Sequence, residues 1–297
     1  MSRTAFITLG TAGGPVPKLK RGQPAHVVSR GDHHILVDCG EGAIGQLQRA
    51  GIDFRSVHDI FLSHHHFDHI GSLFACLGTH MMTQRKEPLN IYGPVGTDRI
   101  IQALSTACDV PWEIGLGSSG KNGVHPRDFV HVHEINPGDV VQVGDIRVSC
   151  CENTHYRAEA EFGQAGAVSL SFRFDAPDRS MVFTGDTGPC EALEKMAKGA
   201  QLLVGELMDS EQMMARVRRQ NPQMPAERIA GLSKHMAQHH LVAKELGNLA
   251  ARAGVQEVVA VHISLDSINA ETAPTYVAQI AEAFAGKITI AEDFDRF

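Results

Sequence analysis

Residues 61–71, FLSHHHFDHIG, decide how the rest of the chain is interpreted. The stretch crowds five side chains that can bind a metal into eleven positions: His64, His65, His66, Asp68 and His69. The preceding VHDIFLS is typical of a buried strand, whereas the following IGSLFACLGTHMM has helical spacing. A turn from a strand into a helix therefore presents these side chains.

Four of the five fit the pattern H-x-H-x-D-H, in which His65 occupies the first variable position x. Residues 64 and 66 face the same side of an extended chain, and Asp68 and His69 can face the same cavity once the chain turns into a helix. Two histidines suit one borderline-soft cation, and an aspartate with a histidine suits a second. The alternative is a solvated histidine-rich loop, which four donors at this spacing disfavour.

Three further donors each follow an apolar, strand-like run. His155 follows IRVSCCE, Asp186 closes MVFTGD, and His262 lies in VVAVHIS. Sites in open α/β sheets lie at the carboxyl ends of strands, so these positions are where ligands are expected. Each is weak evidence alone, but together with the histidine motif they complete a ligand set for two ions.

Composition limits the classes of protein and partner. Hydrophobic residues make up 43% and charged residues 21% of the 297 residues, as in an ordinary globular protein. No apolar run is long enough for a bilayer, and no secretory signal is apparent, so we expect a cytoplasmic protein without membrane contact. The six cysteines lack a CxxC pair and are expected to be reduced. A net charge of −7 argues against a broad polyanion-binding surface.

Strand-like and helical patterns alternate along the chain without a low-complexity break. We therefore expect one α/β domain over residues 1–297, with two similar halves, mixed sheets inside and helices outside. The stretch NPQMPAE (221–227) is interpreted as a loop, and a helix is expected from about residue 239 to residue 253. His239 and His240 at its start are taken as surface or pocket-lining residues.

These motifs resemble the metallo-β-lactamase superfamily, and within it the ribonuclease Z-like branch. The matching stretches cover almost the whole chain: FITLGTAGGPVP, ILVDCGEGAIGQLQRAGID, FLSHHHFDHIGSL, NIYGPVG, NTHYR, FTGDTG and VHIS. The resemblance implies an αββα sandwich of two mixed β-sheets flanked by helices, with metals at one edge. It also implies a homodimer, because this branch commonly forms one.

The resemblance further implies a ligand assignment. One ion takes His64, His66 and His155, the other takes Asp68, His69 and His262, and Asp186 bridges the two. The cofactors would be two divalent ions, with zinc as the first expectation and manganese or iron as alternatives. A hydroxide shared by the ions would carry out hydrolysis. Oxygen-reducing diiron relatives typically have glutamate in place of His66 and a flavin domain, so redox chemistry is not expected.

Three residues are expected to act in catalysis. Asp68 is counted with the catalytic residues as well as with the ligands. In the resembled branch a histidine at the place of His235 protonates the leaving group, and an acidic residue at the place of Glu206 orients it. KHMAQ (234–238) departs from the usual His-Ser-Thr sequence after its histidine, so a metal-bound water is the alternative proton donor. The alternative role for Glu206 is a salt bridge at a helix start.

The expected reaction is hydrolysis of a small ester-type substrate, with a phosphodiester favoured. Alternatives are an aryl sulfate, a carboxylic ester or lactone, and a hydrolytic dehalogenation. Cleavage at the 3′ end of transfer RNA is less favoured, because only thirty residues separate His155 from Asp186 and no basic inserted arm is evident. A metal-holding sensor or interaction module without turnover is disfavoured by the complete ligand set.

The register of the histidine motif can be tested by metal analysis. Replacing His65 with alanine should leave the metal content of the purified protein unchanged, because its side chain points away from the other donors. Replacing Asp186 should remove at least one ion, because it is expected to bridge the two. Inductively coupled plasma mass spectrometry measures both, and loss of metal from His65→Ala would reverse the register.

Overall fold

The computed structural model describes residues 3–115, 123–156 and 166–297. The described strands form two mixed sheets, one of six and one of seven strands, with helices flanking them. This is the predicted fold class. The chain divides into two compact units, and each sheet belongs to one of them. Unit 1 comprises Met1–Gly10, Lys20–Ile135 and Asp293–Phe297, and unit 2 comprises Thr11–Leu19 and Asn136–Glu292. The expectation of a single domain remains a prediction.

Unit 1 contains the six-stranded sheet, whose strands neighbour one another in chain order. These strands are β1 (Thr4–Gly10), β2 (Ala25–Arg30), β3 (His33–Val37), β4 (Val57–Phe61), β5 (Leu89–Gly93) and β6 (Val130–Glu134). The first three are antiparallel, and β3 to β6 are parallel. The helices are α1 (Ala43–Arg49), α2 (Phe67–Ile70), α3 (Leu73–Met82), α4 (Thr97–Ala107), α5 (Asp109–Ile114) and α6 (Pro126–Phe129), with a short 3-10 helix at Phe54–Ser56.

The core of unit 1 lies between its sheet and its helices. Alternate residues of the strands, including Leu36, Ile60 and Ile91, belong to one buried cluster with Leu47 of α1 and Leu77 of α3. The period of two in the strands and of three to four in the helices produces this pattern. The sheet is therefore held with its strand ends at defined positions.

Unit 2 contains the seven-stranded sheet, again in chain order. Its strands are β7 (Val140–Val143), β8 (Ile146–Glu152), β9 (Leu170–Asp175), β10 (Ser180–Phe183), β11 (Leu202–Glu206), β12 (Glu257–Val261) and β13 (Lys287–Ile290). Strands β7 to β10 are antiparallel and β10 to β13 are parallel. The helices are α7 (Glu191–Ala197), α8 (Ser210–Gln220), α9 (Ala226–Gln238), α10 (Ala243–Ala253) and α11 (Ala273–Ala281). No helix among the described residues has the length and apolarity to cross a membrane.

Two sequence-based expectations about helices were wrong. The stretch predicted as a loop at 221–227 overlaps the start of α9, and the next helix begins at Ala243 instead of near residue 239. Pro225 immediately precedes α9, where its fixed φ favours helix initiation. The interval 111–127 contains parts of α5 and α6, and its residues 116–122 lie outside the described residues.

Helix α10 packs closely on α11 through Gly247. A β-carbon placed on Gly247 would lie 2.4 Å from the carbonyl oxygen of Ile280, an atom of the backbone that cannot rotate away. Gly78, in the middle of α3, offers the opposite case, because nothing lies within 4 Å of a β-carbon there. Substituting alanine at each glycine therefore distinguishes the effect of close packing, at Gly247, from the effect of helix propensity, at Gly78.

We expect Gly247→Ala to lower the free energy of unfolding by about 1–3 kcal/mol, because the methyl group would force α10 and α11 apart. Gly78→Ala should instead raise it by up to about 1 kcal/mol through the better helix propensity of alanine. Urea unfolding of both variants measures this. Equal effects in the two variants would contradict the close approach at Gly247.

Candidate metal centre

The histidine motif follows β4 at the carboxyl end of a parallel strand. Its backbone is extended at His66, with φ −64° and ψ 146°, and α2 begins at the next residue. His64, Asp68 and His69 are 0%, 5% and 1% exposed, and His66 is half-buried. The turn from extended to helical backbone occurs where the sequence predicted it.

The turn brings the predicted donors of unit 1 together. The ring centroid of His64 lies 4.8 Å from that of His66 and 4.0 Å from that of His69. Asp68 places Oδ2 3.6 Å from Nε2 of His69. Three imidazoles and a carboxylate thus form one buried cluster, a donor set that suits divalent transition metals.

Asp38 orients two of these histidines from the end of β3. Its buried carboxylate accepts hydrogen bonds from the backbone N of Ser63 at 2.7 Å, from Ser63 Oγ at 2.9 Å and from His69 Nδ1 at 2.7 Å. Nδ1 of His69 must therefore carry its proton, which leaves the lone pair on Nε2. Ser63 Oγ gives its hydrogen to Asp38, so His64 Nδ1, 3.0 Å from Oγ, is the donor in that pair. Both histidines are thereby set to bind a metal through Nε2.

His65 contacts a different part of unit 1. Its Nε2 lies 2.8 Å from Oγ1 of Thr97 at the start of α4. Burial lowers the pKa of His65, so the neutral imidazole is favoured in this position. The residue between the two predicted ligands is thus engaged by α4.

The predicted donors of unit 2 lie at the carboxyl ends of its strands. Asp186 follows β10, His262 follows β12, and His155 follows β8, which runs in the same direction as β10. Nε2 of His262 is 3.1 Å and Nε2 of His155 is 3.8 Å from Oδ2 of Asp186. All three side chains are buried. Asp186 therefore lies between the two histidines of this unit.

A reciprocal pair of hydrogen bonds fixes His155. Its Nδ1 lies 3.2 Å from the carbonyl oxygen of His239, and Nδ1 of His239 contacts the carbonyl oxygen of Thr154. Because a carbonyl oxygen can only accept, both Nδ1 atoms carry protons. His155 is therefore oriented with its Nε2 lone pair directed away from these contacts, as a ligand requires.

The backbone is left-handed at two of these strand ends. Asp38 after β3 has a φ of 59° and His262 after β12 has a φ of 52°, a conformation that non-glycine residues adopt rarely. Around His262 the chain is crowded, since a β-carbon on Gly13 would lie 2.5 Å from the carbonyl oxygen of His262. The glycine-rich turn at residues 10–15 therefore permits a close approach of backbone to His262.

Glu206 pairs with His240 and not with His235, which corrects the predicted pairing. Oε2 of Glu206 is 2.8 Å from Nδ1 of His240, and Oε1 accepts from the backbone N of Leu241 at 3.3 Å and from that of Thr187. Burial raises the pKa of Glu206, His240 lowers it, and Asp186 raises it further. The ring of His235 on α9 lies 5.4 Å from that of His240 and 6.0 Å from that of His155.

His240 is the functional candidate that sequence reasoning missed. Its ligand atom lies within 4.8 Å of those of His155 and Asp186. The mismatch of KHMAQ (234–238) with the expected sequence was the available signal, because His240 lies five residues after His235 and three residues before α10 begins at Ala243. His235 lies within α9, which ends at Gln238, whereas His240 lies in the connection after that helix.

The role of Asp38 gives a prediction for metal affinity. Asp38→Asn keeps the size of the side chain, and asparagine tolerates the left-handed backbone, but its amide cannot accept at both positions. We expect metal affinity to fall by about 10–100-fold, as is typical when a hydrogen-bond partner of a ligand is lost. Competition with a chromophoric chelator measures the affinity.

Asp59→Asn is the matched control. Asp59 is a buried aspartate on β4 that accepts from Asn90 Nδ2 at 3.0 Å. It is bonded to none of the described donors of the cluster, so its replacement should leave metal affinity unchanged. Equal losses in the two variants would show that general destabilisation, and not the orientation of His69, is responsible.

Comparison with known proteins agrees with this architecture. Residues 33–263 match the family described as the beta-lactamase superfamily domain. Ribonuclease Z of Mycobacterium sp. (strain KMS) is 29% identical over 292 residues, which cover 98% of this chain and 94% of that protein. The metallo-β-lactamase fold protein YhfI of Bacillus subtilis has a TM-score of 0.71 at 16% identity, covering 100% of this chain and 99% of the other. The human short form of tRNase Z has a TM-score of 0.67 at 19% identity, with coverages of 99% and 98%.

The solved structures share the fold, and the family match includes both the histidine motif and His262. The resemblance stated from the sequence motifs is confirmed, as is the expected enzyme class of metal-dependent hydrolases. The chain belongs to the β-lactamase superfamily.

Proposed function

We propose that the chain is a phosphodiesterase that works with two divalent metal ions. The observation that carries the proposal is the position and hydrogen bonding of the buried metal-binding side chains in each unit. In both units, imidazoles and carboxylates gather at the carboxyl ends of strands, and Nδ1 atoms are held as proton donors. That arrangement leaves Nε2 atoms to bind metal and has little purpose otherwise.

The two donor sets are proposed to complete one dinuclear centre. The ligands are those inferred from the sequence: His64, His66, Asp68, His69, His155, Asp186 and His262. Membership of the superfamily supports this assignment, as does the burial of the carboxylates, which would be costly without nearby positive charge. The nitrogen and oxygen donors fit zinc first, with manganese or iron as alternatives.

When bound, the two ions would activate a water and neutralise charge that develops on the phosphoryl oxygens. The protein supplies the remaining chemistry. His240, held at Nδ1 by Glu206, is placed to give a proton from Nε2 to the leaving oxygen. Glu206 is a positioning residue, because its hydrogen bonds to His240, Leu241 and Thr187 fix the imidazole. His235 lines the site beside His240.

The phosphodiester bond is favoured over the other esters by the relatives. A protein named Ribonuclease Z matches nearly the full length of the chain, and such a protein cleaves phosphodiesters of RNA. The same match supports RNA cleavage as the second candidate and weakens the expectation that extended nucleic acid is not a substrate. Nothing in the described residues specifically favours a sulfate, a carboxylic ester, a lactone or a halide.

Parallel assays of the metal-loaded protein test the proposed bond. Bis-nitrophenyl phosphate, nitrophenyl sulfate and nitrophenyl acetate release the same chromophore, so differences in rate report the bond cleaved. We expect the phosphodiester to be hydrolysed best, with activity lost on chelation and restored by zinc. Preference for sulfate or acetate would overturn the phosphodiesterase assignment.

Replacing His240 tests whether this residue donates a proton to the leaving group or has only a structural role. His240→Ala should lower kcat by about 10²–10⁴-fold on a dinucleoside monophosphate, whose alkoxide leaving group needs a proton. The loss should be much smaller on bis-nitrophenyl phosphate, because nitrophenolate leaves readily without one. Metal content should remain at two ions per chain.

His235→Ala is the control, and we expect less than about a threefold change in kcat on either substrate. Equal losses on both substrates for His240→Ala would contradict its role as general acid. A larger loss for His235→Ala than for His240→Ala on the dinucleoside monophosphate would return the assignment to His235.

A further inference from the structure

Helices α8 and α9 form a helical hairpin whose base lies beside Glu206 and His240. The hairpin begins after Met208 and ends before Val242, and these two residues form a parallel β-bridge. Met208 N donates to the carbonyl oxygen of Leu241 at 2.9 Å, which closes the base. Residues 221–225 connect the helices, so they form the tip at the other end.

The hairpin is cationic in an acidic protein. Between residues 210 and 240 there are five cationic side chains and two acidic ones, whereas the whole chain carries a net charge of −7. The cationic residues are Arg216, Arg218, Arg219, Arg228 and Lys234, and the acidic ones are Glu211 and Glu227. The hairpin therefore carries net positive charge, whereas the remainder of the chain is net negative.

Three arginines at the tip are exposed and make no ion pair or hydrogen bond with a described residue: Arg218, Arg219 and Arg228. Arg218 and Arg219 lie in the last turn of α8, where a cation is favoured by the helix dipole. Arg228 lies in the first turn of α9, where the dipole disfavours a cation. Helix stability thus does not explain Arg228, and with Glu227 beside it the tip keeps two net positive charges that can attract an anion.

The hairpin is also open to solvent. No residue of α9, all of which the structure describes, is buried, and Met214 is the only buried residue of α8. A surface of this kind can bind a partner without first separating from a core. The guanidinium groups are therefore available along the length of the hairpin.

The distance from tip to base indicates the length of the ligand. Arg228 precedes His235 by seven residues along α9, which corresponds to about 10 Å of helix axis. A substrate with one phosphodiester held near His240 is too short to reach the tip. A polynucleotide strand carries a phosphate at every nucleotide, so phosphates flanking the reacting one would meet the arginines.

Positive charge also continues towards the base. Lys18 Nζ donates to the carbonyl oxygen of Ser264 at 2.7 Å, two residues after His262. Burial lowers the pKa of Lys18, Asp266 raises it, and Arg216 of α8 lowers it again. Lys18 therefore adds a positive charge beside the end of β12.

We infer that the α8–α9 hairpin binds the phosphate backbone of a single-stranded polynucleotide whose scissile phosphodiester lies at the metal centre. This inference rests on the proposed phosphodiesterase function and specifies its substrate as a polymer. The arginines of the tip supply affinity through flanking phosphates. They do not touch the reacting bond.

The test uses the triple variant Arg218→Gln, Arg219→Gln, Arg228→Gln, and a control triple variant, Arg3→Gln, Lys86→Gln, Lys244→Gln. The control removes the same charge from exposed positions outside the hairpin. Binding of a fluorescein-labelled 20-nucleotide single-stranded RNA is measured by anisotropy between 50 and 200 mM salt. The metal-loaded chains carry His240→Ala for this measurement, to suppress cleavage. Hydrolysis of bis-nitrophenyl phosphate is measured with native His240.

We expect the hairpin variant to bind the RNA at least about tenfold more weakly at 50 mM salt. The slope of log affinity against log salt should become shallower by about 2, since each lost phosphate contact on a single strand contributes about 0.7. Its kcat/KM on bis-nitrophenyl phosphate should stay within about twofold of the native value, because that substrate has no flanking phosphate. The control variant should change neither quantity.

Two failures can be told apart. If the native protein does not hydrolyse bis-nitrophenyl phosphate, the proposed function fails. If it does hydrolyse it, but the hairpin variant binds the RNA as tightly as the control variant does, or the native tip shows no measurable RNA binding at 50 mM salt, the inference about the hairpin is overturned.

Discussion

The buried histidines depend on protein acceptors for their Nδ1 protons. Asp38 accepts from His69, the carbonyl of His239 accepts from His155, and Glu206 holds His240. A neutral imidazole has one donor and one acceptor nitrogen, so fixing the proton at Nδ1 leaves the lone pair on Nε2. The side chains are thus prepared before any ion arrives. Replacing one acceptor would change both the direction of a ring and the nitrogen that can bind.

The acceptors are available because each sheet has parallel strands, whose carboxyl ends lie at one edge of that sheet. In unit 1, β3 and β4 end beside each other at Asp38 and Ser63. In unit 2, β10, β11 and β12 end at Asp186, Glu206 and His262. Left-handed backbone at Asp38 and His262 turns the chain sharply at these ends. Such a conformation is unfavourable for a non-glycine residue and persists only where surrounding contacts enforce it.

Local sequence patterns predicted most of this correctly. The strand before His64 and the helix after it were visible as a change in apolar period, and the spacing of the donors follows from that change. The failures cluster at residues 221–242, where the predicted loop at 221–227 overlaps the first two residues of α9, the next helix begins later than predicted, and Glu206 contacts His240 instead of His235. The apolar face of α9 is short and has no buried residue, so its periodic signal is weak.

The sequence by itself determined the fold class, the positions of the predicted ligands and the resemblance to the superfamily, because each of these is encoded in short motifs with local spacing. Only the tertiary structure decided which histidine meets Glu206, since 34 residues separate Glu206 from His240 and no local rule relates them. It likewise decided that the arginines of α8 and α9 share one tip. A net charge of −7 describes the whole chain, whereas an anion responds to the charges that folding places within its reach.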